Sequence, residues 1–420
     1  MLRLLYFSNE RFPTRDAVSI QQMHVAESFA RLGVDLTFVR PWFHDMAGYH
    51  SDDIFLFYGI ETPFNMRILP SALSLSKPRY GIDIGYHKTA RDRKLLPGIG
   101  GASVILSTGA FIYSQITDHA FDEPTAIYSR NLNSTAVFLK HKRLLQKKPV
   151  RVFIEAHALS QEPERLFRSV VCRCDGIVSI TQALKQDLVQ EFNLDPGRIH
   201  VAPDGVRQVD HTVADKQALR RQLSIPHPEK NLVVYSGGFS RGKGAEIVVR
   251  AAEFADSETQ FYLLGGAPRT IAELRRMTRA DQYDNVHLPG FVPPRVVGDY
   301  QAAADVLVLP NTPDYALRDY TSPLKLFEYM AAGSPVVASD LPVFREVLDD
   351  GRNGVLVKPG SPQHLAAGIR KALDNPSFAA QLARTAKQQV SAYTYPTRAR
   401  GIFEFIRRQT GWKIPNKRSV

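Results

Sequence analysis

Short apolar runs alternate along this chain with stretches whose apolar residues recur every three or four positions. Residues 2–8 read as a buried strand that opens into the polar loop NERFPTRDAVS. Ile20, Met23, Ala26 and Phe29 then share one helical face, Gly33 stops the helix, and residues 34–40 form the next strand. This is a βαβ opening with a long first loop, and open parallel sheets hold ligands at the carboxyl ends of their strands. Further strand-like runs occupy residues 102–108, 125–128, 151–155 and 176–180, with helical patterns such as 181–192 between them. Such alternation predicts a doubly wound sheet. Residues 199–206 close this half, and the polar residues 207–229, with Pro226 and Pro228, read as a linker. The pattern then restarts with strand 231–236, a Gly-rich loop, helix 245–255 and strands 260–264, 285–288 and 305–310. No sequence repeat relates the halves, yet each predicts a Rossmann-like sheet. Residues 353–357 make a last turn and strand, followed by an amphipathic helix at 361–374, another helix, and the segment 393–408.

The sharpest local signal lies in residues 319–340, DYTSPLKLFEYMAAGSPVVASD. Thr321 and Ser322 are N-cap types, and Pro323 suits a first helical position, where its missing N–H costs nothing. Leu324, Phe327 and Ala331 share a face, Gly333 is placed for a left-handed cap, and Pro335 blocks continuation before the strand Val336-Val337-Ala338. A helix that starts so abruptly offers the N–H groups of Leu324 and Lys325 to an anion, most often phosphate. Its dipole contributes only about 0.3–1 kcal/mol, whereas micromolar binding needs about 8 kcal/mol. Side chains must supply the rest, and Lys325 and Glu328 stand where they can. The competing reading makes them an exposed i,i+3 pair worth about 0.2–0.5 kcal/mol.

Composition narrows the setting. The 420 residues are 44% hydrophobic and 23% charged, ordinary globular material whose length suggests two or three domains. No run approaches ~18 apolar residues, so no membrane-spanning helix is expected. The start, MLRLLYFSNERF, runs straight into a strand without a signal-peptide layout. Cys172 and Cys174 are too close for an easy disulfide and too few for zinc, so a reduced, cytoplasmic chain is expected. A formal net charge of +11 points to an anionic partner. Residues 138–151 gather Lys140, Lys142, Arg143, Lys147, Lys148 and Arg151 around a few leucines. They form either a solvated face or a basic interfacial helix on anionic lipid, at about 1 kcal/mol per basic residue. The aromatic interleaving of single-strand binders is missing, so nucleic acid is not an expected partner.

Two further features carry chemistry. His157 follows a strand at its carboxyl end, where it is either a satisfied structural group or a ligand-facing one. GGFSRGK, residues 237–243, follows a strand and matches the G-x-x-x-x-G-K core of a phosphate loop. Gly244 replaces the magnesium-binding Ser or Thr, and Asp305 begins its strand instead of ending it. Both departures argue against a P-loop NTPase.

SPLKLFEYMAAGSPVVASD resembles the donor-site segment of the retaining GT-B glycosyltransferases of family 4, the glycosyl transferases group 1. The resemblance is strongest over residues 231–408 and weaker, though continuous, before them. It implies an α/β fold of the GT-B kind, two Rossmann-like doubly wound domains facing a cleft. It also implies roles. The helix N-terminus, with Ser322, Pro323, Leu324 and Lys325, holds the nucleotide diphosphate together with Lys243, and Glu328 binds the ribose. FIEAH resembles the loop whose histidine contacts the transferred sugar, which makes His157, Lys243 and Glu328 the catalytic set. Gly237, Gly238 and Arg241 belong to the diphosphate loop, and the backbone of Gly290-Phe291-Val292 lies at the base edge. This chain departs from the family's pattern at three places. Gly238 stands where the family has an arginine, with Arg241 as the nearest substitute. Tyr320 stands where the first, sugar-binding glutamate belongs, with Asp319 beside it. Ala17-Val18-Ser19 replace two glycines of the first loop.

The implied layout is an acceptor domain at 1–206, a linker at 207–229, a donor domain at 230–392 and a terminal helix at 393–420 returning to the first domain. The implied activity is retaining transfer of a sugar from a nucleotide-diphosphate sugar to a glycan or lipid-linked glycan, in polysaccharide biosynthesis. No metal and no other cofactor is implied, and the chain has no Asp-x-Asp pair to hold a metal. The expected place is the cytoplasm, with peripheral contact on the inner face of an anionic membrane. Two other classes remain: a catalytically silent GT-B sugar-nucleotide binder, suggested by Gly238 and Tyr320, and a sugar-nucleotide epimerase.

Overall fold

A computed structural model describes residues 2–10, 12–14, 16–41, 51–69, 99–145, 147–159, 164–207, 215–278, 283–315 and 319–412. The chain divides into two compact units. One runs to Asp204 and takes back the helix Tyr395–Thr410; the other is Gly205–Thr394.

The first unit is built on β1 (Arg3–Phe7), β2 (Asp35–Pro41), β3 (Asn65–Leu69), β4 (Thr125–Ser129), β5 (Val150–Ala156), β6 (Gly176–Ser179) and β7 (Ile199–Val201). All neighbours pair in parallel, in the order β3-β2-β1-β4-β5-β6-β7. Helix Ala17–Arg31 buries Met23, Ala26 and Phe29 as their spacing predicts, against Tyr6, Phe38 and Tyr128. Its N-cap is Asp16, whose carboxylate accepts the Ser19 N–H at 2.7 Å, so this helix end is closed by its own chain. The returning helix adds Tyr395, Ala399, Ile402, Phe405 and Ile406 to the same core.

Residues 102–108, expected as a strand, lie inside the helix Ile99–Thr117. An apolar run without charge fits a buried strand or a buried helix equally, and here its full length of 19 residues selects the helix. The strand at this side of the sheet is β3, whose sequence NMRIL buries only Leu69 and carries little apolar signal. Residues 138–151 are not one basic helix. The helix Leu132–Lys140 ends at His141, a short turn Lys142–Leu145 follows, and β5 begins at Val150. Lys148 pairs with Asp122, while Lys142 and Arg151 lie 3.7 and 3.8 Å from Asp175. Among the described residues no helix is long and apolar enough to cross a membrane.

The second unit is built on β8 (Asn231–Ser236), β9 (Thr259–Leu264), β10 (Val286–Gly290), β11 (Val306–Leu309), β12 (Val336–Ser339) and β13 (Val355–Val357). These too are parallel, in the order β10-β9-β8-β11-β12-β13. Helices cover both faces, which is why β8, β9, β11 and β12 are buried almost end to end. The segment expected as a linker contributes structure of its own. Helix Lys216–Gln222 docks here through Arg220, which donates to Ala303 O, Lys230 O and Asp305 Oδ2 at 2.8, 2.8 and 2.7 Å. Residues 208–214 lie outside the described residues.

Candidate functional site

In the second sheet the strand order reverses between β8 and β11, the place where an open α/β sheet receives its ligand. β8 opens into Gly237-Gly238. A Cβ on Gly237 would lie 2.9 Å from Lys325 Nζ, and one on Gly238 would lie 3.3 Å from Lys243 Nζ. The bare backbone therefore lets two ammonium groups rest against one short loop. Gly244 answers a different need. At φ +79° its Cβ would meet the Pro310 carbonyl oxygen at 1.9 Å, so only glycine lets this loop close on the end of β11.

Lys325 belongs to the helix Leu324–Ala332, whose N-cap is Pro323 with φ −77° and ψ 125°. The helix thus starts one residue later than its sequence suggests, because Pro323 keeps an extended ψ and serves as cap instead of first turn. Its end follows expectation, with Gly333 in the left-handed region. The buried face is Leu326, Phe327, Tyr329 and Met330, while Leu324 and Ala331 are only partly covered. Lys325 Nζ donates to Tyr235 Oη at 3.2 Å and sits 4.3 Å from the centre of that ring. Tyr235 Oη in turn donates to Gly238 O at 2.8 Å. Burial, reinforced by the like charge of Lys243 and opposed by Glu328, pulls the Lys325 ammonium down to about 7. Burial also lowers Lys243.

Glu328, one turn further along, accepts from Gln301 Nε2 at 3.4 Å, and that amide also donates to Ser236 Oγ at 3.1 Å. Burial raises the Glu328 carboxyl, against the pull of the Gln301 bond and of Lys325. A raised carboxyl, two lowered ammonium groups and a helix start without a side-chain cap therefore meet around Lys325. That is the electrostatic form of an anion site with a hydroxyl-accepting group beside it.

The remaining residues singled out in the sequence are more scattered. Arg241 points away into solvent, its side chain 88% exposed and paired with Asp314 at 2.7 Å. Gly290 closes β10 with its carbonyl accepting from Gly265 N at 2.7 Å; Phe291 beyond it is 57% exposed and Val292 is partly buried. Asp319 is exposed, Tyr320 partly so, and Ser322 is buried. Tyr235, Gln301 and the pair Gly265-Gly266 were not singled out. A Cβ on Gly265 would meet Gly237 O at 2.3 Å, so this second glycine turn, visible as LLGGAP, is what lets the first one sit where it does.

In the first unit His157 lies just past β5. Its Nε2 is 2.7 Å from Glu155 Oε1 and its Nδ1 is 3.2 Å from Arg130 Nη2. Both ring nitrogens are thus engaged within the protein. Glu155 is 1% exposed and also lies 2.8 Å from Arg398 Nη2, an ion pair without hydrogen-bond alignment, and accepts from the Tyr128 hydroxyl. Sequence reasoning took the histidine of FIEAH and passed over the glutamate two residues earlier.

Two parallel doubly wound sheets are the GT-B fold, and solved GT-B structures match nearly the whole chain. HepE of Anabaena, in a crystal structure with UDP, superposes with a TM-score of 0.71 at 16% identity over 96% of this chain and 99% of that one. Sucrose-phosphate synthase of Thermosynechococcus elongatus gives 0.70 at 20% identity over 98% and 100%. Residues 230–375 match the family model described as Glycosyl transferases group 1. It is 31% identical over 228 residues to a D-inositol 3-phosphate glycosyltransferase of Xylanimonas cellulosilytica, covering 52% of this chain and 53% of that protein. A protein of the same description from Acidothermus cellulolyticus is 28% identical over 57% of this chain and 54% of its own length. The chain spans about half the length of the curated relatives it matches.

Proposed function

We propose that this chain is a retaining glycosyltransferase that takes a sugar from a uridine-diphosphate sugar without a metal ion. The observation that carries the reading is the pair of withdrawn ammonium groups, Lys243 and Lys325, laid against Gly237-Gly238 beside Glu328. Cleavage of the sugar–phosphate bond leaves a diphosphate whose charge must be met, and preorganised cations and N–H groups meet it without reorganisation. Glu328 takes the ribose hydroxyls, a fit for a carboxylate that is held near an amide and not yet paired with a strong donor. The group 1 match and the UDP bound to HepE support this assignment.

For the acceptor we propose a glycan or lipid-linked glycan; the names of the relatives favour a phosphorylated polyol as the second reading. The test is release of UDP from a panel of UDP-sugars in excess EDTA, with and without such acceptors. Acceptor-dependent release that survives the chelator is expected. Loss of activity restored by magnesium overturns the metal-free mechanism. UDP binding without turnover identifies the silent binder, and sugar interconversion without acceptor identifies the epimerase.

We place the enzyme at an anionic membrane surface, through Lys140, Lys142, Lys147 and Lys148 with the chain's excess positive charge. Lys148 pairs with Asp122 and Lys142 lies near Asp175, while Lys140, Lys142 and Lys147 are exposed. Binding to anionic liposomes is expected at low salt and lost near 1 M, where the Debye length falls to about 3 Å. Replacing the four lysines by Gln should weaken it. Equal partition to neutral and anionic liposomes, or to neither, removes the membrane from the reading.

A further inference from the structure

The first sheet has its own point of reversal, between β1 and β4, and Arg130 is the first residue beyond β4. Its side chain is only 15% exposed. The nearby carboxylate is Glu155, which is already engaged by His157, Arg398 and Tyr128. Arg130 Nε stands 3.7 Å from it, beyond hydrogen-bond range. Another carboxylate acting on this cluster, Asp204, accepts from Gln21 Nε2 at 2.8 Å and interacts with Arg398 and His157. Among the described residues, the hydrogen bond that Arg130 makes is to His157 Nδ1. With the Nε2 proton directed at Glu155, Nδ1 is the lone-pair side of a neutral imidazole. Burial and the charge of Arg130 keep that ring below its usual pKa, with Glu155 opposing.

A guanidinium is always charged and presents its donors as a planar fork suited to phosphate or carboxylate. One that is largely withdrawn from water, bonded to a neutral ring and 3.7 Å from a carboxylate it shares with three other groups keeps donors for a further anion. We infer that Arg130 binds an anionic group of the acceptor, a phosphate or a carboxylate, with His157 and Glu155 as the residues that position its fork. The word acceptor rests on the glycosyltransferase reading; the anion subsite does not.

The test uses the full chain saturated with UDP, so that the second unit's anion site is filled. Inorganic phosphate, acetate and, as a neutral control, glycerol are then titrated by calorimetry. Wild type should bind phosphate or acetate roughly ten- to hundredfold more tightly than Arg130→Gln, the scale of one charged hydrogen bond. Arg130→Lys, which keeps the charge and loses the fork, should fall between. Unchanged UDP affinity and melting temperature show that each variant is folded. Equal anion binding by wild type and Arg130→Gln, no anion binding by the UDP-saturated wild type, or equal binding of glycerol overturns the assignment. Should UDP itself fail to bind, the donor reading falls, and Lys325→Gln replaces UDP saturation. Phosphate binding kept in Lys325→Gln and lost in Arg130→Gln then supports the subsite, and the reverse overturns it.

Discussion

Arg398→Met is expected to destabilise the first unit by about 3–5 kcal/mol, the scale of breaking a buried ion pair from one side. The pair joins the end of β5 to the returning helix, with side chains 2% and 1% exposed. Arg398 also donates through Nη1 to Ala202 O and, at 2.7 Å, to Pro203 O. Burial works to raise the Glu155 carboxyl, but Arg398, the His157 bond and Arg130 together hold it well below its usual range. A carboxyl depressed in the folded state contributes stability above its unfolded pKa and loses it as pH falls through the folded one. Wild type should therefore lose stability on acidification below the ordinary carboxylate range, and the variant, lacking the main cation, should lose less. Melting curves across pH measure both effects. The double variant Glu155→Gln/Arg398→Met should recover part of the loss, since no uncompensated charge remains. A single variant within about 1 kcal/mol of wild type would place this pair among the weak surface bridges.

Lys325→Gln and Glu328→Ala should each weaken UDP binding by about 1.5–3 kcal/mol, the scale of a charged hydrogen bond. The lysine adds a pH signature. With its ammonium at about 7 in the free site and raised by a bound diphosphate, binding must take up a proton above neutrality. Affinity should be full below pH 7 and decline above it. Calorimetry at pH 8 in buffers of different ionisation heat reads the uptake directly; it should be present in wild type and absent in Lys325→Gln. Equal heats in all buffers for wild type would show that Lys325 does not meet the phosphate. Unchanged affinity in a folded Glu328→Ala would remove the ribose role.

How much of this was legible follows from where each residue sits. The helix after Pro323 announced itself through local chemistry, since Gly333 and Pro335 stop it regardless of what packs around it. Gly244 read as a defect in a phosphate loop, and its reason, the Pro310 carbonyl, comes from another strand. Tyr235 is the last apolar residue of the strand NLVVYS and reads as core; nothing local says that its hydroxyl reaches Gly238 and Lys325. Glu155 was passed over, although a carboxylate inside an apolar strand is a residue that is rarely buried without a partner. That partner is one of several arginines in the terminal helix, and only the rotation of this helix on the first core selects Arg398. The helix Ile99–Thr117 failed for the opposite reason, too little polar contrast to reveal a period.

The returning helix also bears on how the chain is made. Tyr395, Ala399, Ile402, Phe405 and Ile406 complete a core whose other members were synthesised before residue 205. At about 5–20 residues per second, the ribosome adds the whole intervening unit over roughly ten to forty seconds. Throughout that time the first core lacks one of the helices packed into it, and Glu155 lacks its arginine. The second unit has no such debt. Its ends meet at the Val206–Thr394 bridge, with Val206 N donating to Tyr393 O at 2.9 Å, so it can close as soon as it is complete. The half of the molecule that emerges later is thus the first able to finish folding, and the earlier half waits on the nascent chain with part of its core uncovered.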